Sequence, residues 1–249
     1  MTRNSPVAIG APILQGRARV VTAMALVTGP IVMTVGFFFA YLAWRDAAAG
    51  AKEIDVTLAQ PTLWSLTTML DFLSACTFVA MNVAFFIVTR RWSAKLAWTG
   101  AIAMTLQTVA LGAVAGAEIL VAGLAAKGVD PAILDKALDS FSTQPGGFAI
   151  FILFLPVEVV GMVAMGLALW RTRWVPRVSA VIVGLFPFVD ILVPGHLLRV
   201  GVFVVYTVAW ALIAGAVMRT GAPKPARSVK NPVEQVDAAQ PQGEQTVSL

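Results

Sequence analysis

Charged residues are scarce in this chain of 249 residues, making up 12% of it, whereas hydrophobic residues make up 58%. A soluble domain carries about 25% charged residues, so about half of the surface charge that such a domain needs is missing. Cysteine and histidine are almost absent, with Cys76 and His196 as single examples. One cysteine excludes an intramolecular disulfide and a metal cage built from cysteines. One histidine excludes bis-histidine haem ligation and a zincin site, which takes two histidines from one helix.

The signatures of several enzyme classes are also missing from the sequence. It contains no GxSxG, no Walker A loop and no GxGxxG. The nucleophile elbow of α/β-hydrolases, the phosphate loop of P-loop proteins and the dinucleotide-binding turn are thereby excluded. The sequence gives no grounds to assign a catalytic residue, a cofactor or a metal ligand.

Long apolar runs dominate what is present, and the mean hydropathy is +0.82. A helix of about 20 mostly apolar residues crosses a hydrocarbon core about 30 Å thick. We therefore predict an all-α polytopic membrane protein, with a bundle of six transmembrane helices within residues 17–219. The predicted spans are about 20–44, 62–89, 97–125, 147–170, 174–193 and 196–217. Residues 1–16 are expected to form a short lead, and residues 220–249, rich in proline and polar residues, a disordered tail.

The distribution of lysine and arginine predicts the orientation, because cytoplasmic loops carry most of these residues. One set flanks the spans at the N-terminus and after spans two, four and six: Arg3, Arg17, Arg19, Arg90, Arg91, Lys95, Arg171, Arg173, Arg177, Arg219, Lys224, Arg227 and Lys230. Only Arg45, Lys52, Lys127 and Lys136 fall in the loops of the other side. Both termini are therefore expected in the cytoplasm. This placement accounts for the net charge of +5, so a nucleic-acid partner has no support, and the lipid bilayer is the expected partner.

The connecting segments carry further local signals. Residues 45–60 are expected to form a loop, whereas Asp130-Pro131 predicts the start of a short amphipathic helix on the membrane surface. Gly112 and Gly116 have the spacing that lets two helix backbones approach closely. Five tryptophans near span ends are expected to anchor the chain at the membrane interface: Trp64, Trp92, Trp98, Trp170 and Trp174.

Ionisable residues inside apolar runs are costly and mark candidate functional sites. The stretch FPFVDILVPGHLLR, residues 186–199, breaks at a Pro-Gly turn, which predicts two antiparallel helices that share its polar residues at one end. A rise of about 1.5 Å per residue from the basic anchors places all such groups in the outer half of the bilayer. We therefore predict an outward-facing polar cup that binds a small cation, a proton or a polar ligand, as in a transporter or a sensor. Its candidate binding residues are Asp71, Glu118, Glu158, Asp190, His196 and Arg199.

Two prolines favour this interpretation, and other interpretations stay open. Pro156 and Pro187 precede Glu158 and Asp190, and each proline frees a helix carbonyl that would sit beside a carboxylate. In the structural alternative the protein is an interaction subunit, and Arg199 merely neutralises Asp190 or Glu158. A third alternative is an intramembrane enzyme with paired carboxylates. A metal site built from Asp71, Glu118, Glu158 and Asp190 is also chemically conceivable for a hard cation.

The segment GMVAMGLALWRTRWVPRVSAVIVGL, residues 161–185, resembles a pattern in six-span membrane proteins of bacteria, especially actinobacteria, whose function is unknown. In that pattern a helix ends in Leu-x-Arg and a short loop with Pro-Arg leads into the next helix. The matching residues here are Arg171, Pro176 and Arg177. The resemblance implies the six-helix bundle and a location in the bacterial inner membrane. It implies no activity.

Overall fold

The structure is a computed structural model that describes residues 14–48 and 50–219. The expected disordered tail and residues 1–13 of the expected lead lie outside the described residues. Within them the chain forms helices and no strand, which confirms the all-α class. The helices are α1 (Gly16–Trp44), α2 (Glu53–Ala59), α3 (Pro61–Thr89), α4 (Ala94–Ala126), α5 (Pro131–Thr143), α6 (Pro145–Arg171), α7 (Arg177–Leu192) and α8 (His196–Arg219).

Five of these helices, α1, α3, α4, α6 and α8, are long and apolar enough to cross a membrane. They identify a multi-pass membrane protein. Helix α7 has 16 residues, so it is about 24 Å long at 1.5 Å per residue. That length is below the thickness of about 30 Å of a typical hydrocarbon core.

The six longest helices of the described chain form a closed ring. Around the ring, α1 packs against α3, α3 against α4, α4 against α6, α6 against α7, α7 against α8, and α8 against α1. The centre of the ring is filled by large buried side chains, among them Met81, Phe85, Met165, Tyr206 and Trp210. The chain therefore surrounds its core with its own helices, and its first and last helices are neighbours.

Two sets of contacts identify the ends of the bundle. At the end that we call the His196 end, the imidazole of His196 stacks on Trp44, with ring centroids 5.1 Å apart. At the opposite end, called the Arg171 end, Arg171 donates a hydrogen bond of 3.2 Å to the Ser93 hydroxyl. Arg19 lies there too and donates to the Met218 carbonyl at 3.3 Å. Because Arg171 and His196 lie at opposite ends, residues 172–195, including α7, run the length of the bundle.

The segment 45–60, expected to be a loop, contains the two-turn helix α2. The Lys52 amide donates to the Asp55 carboxylate at 2.9 Å, which satisfies one of the free donors at the start of this helix. Ile54 and Val56 are buried. Helix α5 begins as expected, with the Asp130 carboxylate accepting from the Ala132 amide at 2.8 Å. Its Leu134 does not face a membrane surface, however, but packs with Ile54 and Val121.

Close helix contact occurs at a different glycine pair from the one expected. A Cβ on Gly112 would meet Ala75 at an ordinary 3.7 Å, and one on Gly116 would meet nothing within 4 Å. The close approach joins α6 to α7, where a Cβ on Gly166 would lie 2.7 Å from the Gly184 Cα. The interfacial role of Trp64 is also wrong, because this side chain is buried and packs edge-on against Trp44.

Candidate functional site

The Pro-Gly turn brings Asp190 of α7 beside Arg199 of α8. Gly195 has a φ of 77°, a left-handed conformation that glycine adopts without steric cost. The Arg199 Nε lies 3.1 Å from the Asp190 Oδ1, and the side chains are 35% and 24% exposed. Neither atom makes a well-directed hydrogen bond, while the Arg199 Nη2 donates to the Asp190 carbonyl at 3.4 Å. The pair is thus held mainly by charge, with its two facing atoms buried and the rest of each side chain partly exposed.

Glu158 of α6 lies deeper, with 6% of its surface exposed. Met162, one turn after Glu158 on α6, contacts the hydroxyl of Tyr206 of α8 at 3.6 Å, and Tyr206 is 1% exposed. No ion pair joins Glu158 to Arg199 among the described residues. Sequence reasoning missed Tyr206, although it follows Arg199 by seven residues, two turns along the same helix face.

A second group of acidic residues lies across the bundle, on α3, α4 and α2. The charges of Glu53 and Asp71 act on Glu118. Gly36 of α1 leaves room for Asp71, because a Cβ there would lie 2.9 Å from the Asp71 Oδ1. In the part of the chain that the structure describes, neither Asp71 nor Glu118 forms an ion pair. The six candidate residues therefore belong to separate groups, and the contacts do not join them into one cup.

The metal site built from four carboxylates is contradicted. Across residues 14–48 and 50–219, no three His, Cys, Asp or Glu side chains are arranged to hold a metal ion. Its four members all lie in this range, and they divide between the two groups just described. A hard cation such as Ca²⁺ takes six to eight oxygen ligands, which neither group supplies from side chains.

His196 packs against α1. Besides stacking on Trp44, it lines a cavity of about 260 Å³ together with Tyr41, Arg45 and Leu197. Its Nδ1 is buried and has no hydrogen-bond partner within the described chain. Arg45 is already paired with Asp46 at 3.0 Å, and this pairing raises the pKa of Arg45 and lowers that of Asp46. The cavity therefore offers aromatic surface and one unpartnered nitrogen.

Helices α2 and α5 together form a cap over the second acidic group at the His196 end. Lys52 and Asp135 join the two helices through an ion pair of 2.6 Å, and the hydrogen bond to Asp135 raises the pKa of Lys52. Glu53 is partly enclosed by the cap, and burial raises its pKa. A cavity of about 420 Å³ opens beside the cap and is lined by Asp46, Asp55 and several alanines. Sequence reasoning missed the cap because it missed α2.

Comparison with protein-family models, curated proteins and solved structures gave no match to the chain. The resemblance of residues 161–185 to six-span bacterial proteins accordingly stays a prediction. The chemistry of the site rests on its two groups of acidic residues. One is Glu158 with Asp190, and the other is Glu53, Asp71 and Glu118. What the helices establish is that this chain is a multi-pass membrane protein.

Proposed function

We propose that this protein crosses the bacterial inner membrane six times, keeps both termini in the cytoplasm, and binds a small cation or a proton near its outer end. The passage of residues 172–195 along the whole bundle supports a sixth crossing by α7. The basic residues Arg90, Arg91 and Arg171 at the Arg171 end support a cytoplasmic location for that end. The His196 end then faces outward.

The observation that carries the binding function is a surplus of carboxylates inside membrane helices. Glu158, Asp71 and Glu118 lie in α6, α3 and α4, and none of them pairs with a basic side chain among the described residues. An isolated ionised carboxylate is expensive in a low-dielectric interior, and such a group is neutralised by a proton or by a bound cation.

One observation favours the structural alternative for part of the site. Asp190 and Arg199 neutralise each other across the α7–α8 turn, and this pair alone requires no ligand. A protein in which only such pairs mattered would serve as an interaction subunit. This alternative accounts for the half-buried Asp71 and Glu118 through headgroup water at the outer boundary, and what it leaves without an explanation is the buried, unpaired Glu158.

Binding is tested on the purified full-length protein by calorimetry with Na⁺, K⁺ and Ca²⁺, and by proton titration. Single variants Glu158→Gln, Asp71→Asn and Glu118→Gln are compared with Asp46→Asn, an exposed carboxylate outside the membrane helices. We expect at least one of the first three to lose cation or proton binding while Asp46→Asn retains it. Equal binding in all four variants and the wild type would leave the structural subunit as the function.

A further inference from the structure

We propose that Glu158 is the proton-binding group of this protein, and that protons reach it from the His196 end through the Asp190–Arg199 pair. This inference rests on the proposed function and names its ligand as a proton. Each transfer moves one proton from outer water to a carboxylate, so the ionised side chain becomes a neutral acid and no other reactant is consumed.

The first argument is the environment of Glu158. Its side chain is more than nine-tenths buried, in the middle of a membrane helix, and it has no basic partner in the described chain. A proton removes its charge without needing any further ligand. A metal ion needs several oxygen ligands, and no three suitable side chains meet here.

The second argument is the position of the ion pair between Glu158 and the outer water. Helices α6 and α7 run antiparallel and touch at Gly166 and Gly184, so Glu158, eight residues before Gly166, and Asp190, six residues after Gly184, lie within about 3 Å of the same depth. The Asp190 side chain is about one quarter exposed. The Arg199 guanidinium makes one long hydrogen bond, to a carbonyl, out of the five that it can donate. Asp190 thus joins a buried ion-pair oxygen to a partly exposed side chain, the placement that a proton relay needs.

The groups around Glu158 leave no other partner for its charge. Helix α7 contributes Asp190, and α8 contributes Arg199 and Tyr206. Helix α4 packs against α6 with Met104 beside Gly161, while its ionisable residues Lys95 and Glu118 lie toward its two ends. The other two helices that pack against α6 are α5 and α3. The charged side chains of α5 lie on the outer cap, and Asp71 of α3 belongs to the second acidic group. Those of α5 are Asp135, Lys136 and Asp139.

Tyr206 adds a neighbour specific to this position. Its ring is buried against Phe186, with ring centroids 4.1 Å apart, and its hydroxyl lies 3.6 Å from the Met162 sulfur. Met162 lies one turn after Glu158 on α6, so the phenol is placed near the Glu158 carboxylate. Tyr206→Phe is therefore a local probe that leaves both carboxylates in place.

The test is infrared difference spectroscopy of the full-length protein in phosphatidylcholine vesicles, recorded as the outer pH is lowered. A carboxylate that binds a proton gains the carbonyl band of a carboxylic acid. We expect Glu158→Gln to remove one such band and the exposed control Asp46→Asn to keep it, and Glu118→Gln and Asp71→Asn are recorded for comparison. Tyr206→Phe should shift the position of the band. After a rapid pH step, Asp190→Asn should slow its appearance by about 100-fold, the lower range of what one positioned proton-transfer group contributes.

Each result decides one part of the proposal. An unchanged spectrum in Glu158→Gln overturns Glu158 as the site, and an unchanged rate in Asp190→Asn overturns the route. Loss of the band in Glu118→Gln or Asp71→Asn instead would sink this inference but leave the proposed function standing. If no carboxyl band titrates and calorimetry detects no cation, both fall. Should Glu158→Gln not fold, Glu158→Asp and Tyr206→Phe must both shift the band, and two unshifted spectra overturn the site.

Discussion

Gly166 of α6 and Gly184 of α7 are in backbone contact, so closely that a Cβ on Gly166 would lie 2.7 Å from the Gly184 Cα and 2.8 Å from the Ala180 carbonyl oxygen. Real Cβ atoms do not approach backbone atoms this closely. The reverse substitution is milder, since a Cβ on Gly184 would meet the Gly166 Cα at 3.5 Å. Two neighbouring glycines thus differ sharply in the room that they have.

This asymmetry gives a matched pair of variants. Gly166→Ala should force α6 and α7 apart and lower the free energy of unfolding by about 1–3 kcal/mol, as overpacking does. Gly184→Ala should be close to neutral. Thermal unfolding in detergent measures both, and equal effects would show that the contact between these helices is looser than described.

The cap depends on its apolar contacts more than on its ion pair. Leu134 is 1% exposed and packs with Ile54 and Val121, so Leu134→Ala should cost about 2–5 kcal/mol. Lys52 is exposed, and water screens its attraction to Asp135, so Lys52→Ala should change the unfolding free energy little. Hydrogen exchange of the α2 and α5 amides separates the two variants. Faster exchange in Lys52→Ala than in Leu134→Ala would contradict this order.

The cap should also respond to pH through Glu53. Burial raises the pKa of Glu53 above the ordinary value of 4.5, so the closed cap binds its proton more tightly than the open one. This contribution to stability is complete below about pH 4.5 and is lost as pH rises through the raised pKa. Glu53→Gln should remove that pH dependence and protect the α2 amides better at pH 7. Protection factors of the α2 amides that rise with pH in the wild type would contradict the assignment.

Coupling between Asp190 and Arg199 is measured by a double-mutant cycle. Removing one partner of a buried ion pair costs about 3–5 kcal/mol, and the partial exposure of both side chains reduces that figure here. Arg199→Ala should still destabilise more than the double variant Arg199→Ala with Asp190→Asn, which removes both charges. Two single effects that add up fully in the double variant would show that the residues are not coupled.

Orientation is tested by labelling single cysteines in a Cys76→Ser background. Lys136 and Arg91 are both exposed and lie at opposite ends of the bundle. A membrane-impermeant maleimide should label Lys136→Cys in intact spheroplasts, and should label Arg91→Cys only after the membrane is broken. Labelling of both sites in intact spheroplasts would rule out their placement on opposite sides.

Local sequence patterns predicted the helical membrane class and the proximity of Asp190 to Arg199. Apolar runs gave the all-α membrane class, and the Pro-Gly turn brought Asp190 to Arg199 because four residues on either side of a turn reach similar depth. Helix α2 was missed because its seven residues are too few to show a clear apolar period. Its acidic first turn, with Glu53 and Asp55, was the available signal.

The sequence could not show how each helix is rotated about its own axis, and therefore which neighbour each side chain faces. Depth along a helix follows from counting residues, and on that basis all six candidate groups fell in the outer half of the bilayer. Whether Glu118 turns toward Asp71 or toward Glu158 depends on how the whole ring packs. The same reason explains the glycines, because Gly112 and Gly166 look alike until the neighbouring helix is known.

The closed ring has a consequence for how the protein is made. Helix α1 leaves the ribosome first, and one of its two neighbours, α8, leaves last, so one flank of α1 faces lipid until residues 196–219 are inserted. The Thr34 hydroxyl on that flank already has a hydrogen-bond partner before α8 is inserted, because it donates to the Pro30 carbonyl one turn earlier, at 2.8 Å. When α8 arrives, Thr207 joins the same carbonyl at 3.0 Å and meets Thr34 at 2.7 Å. Among the described helices, the contact between α1 and α8 therefore forms last, and it uses a hydroxyl group already in place on α1.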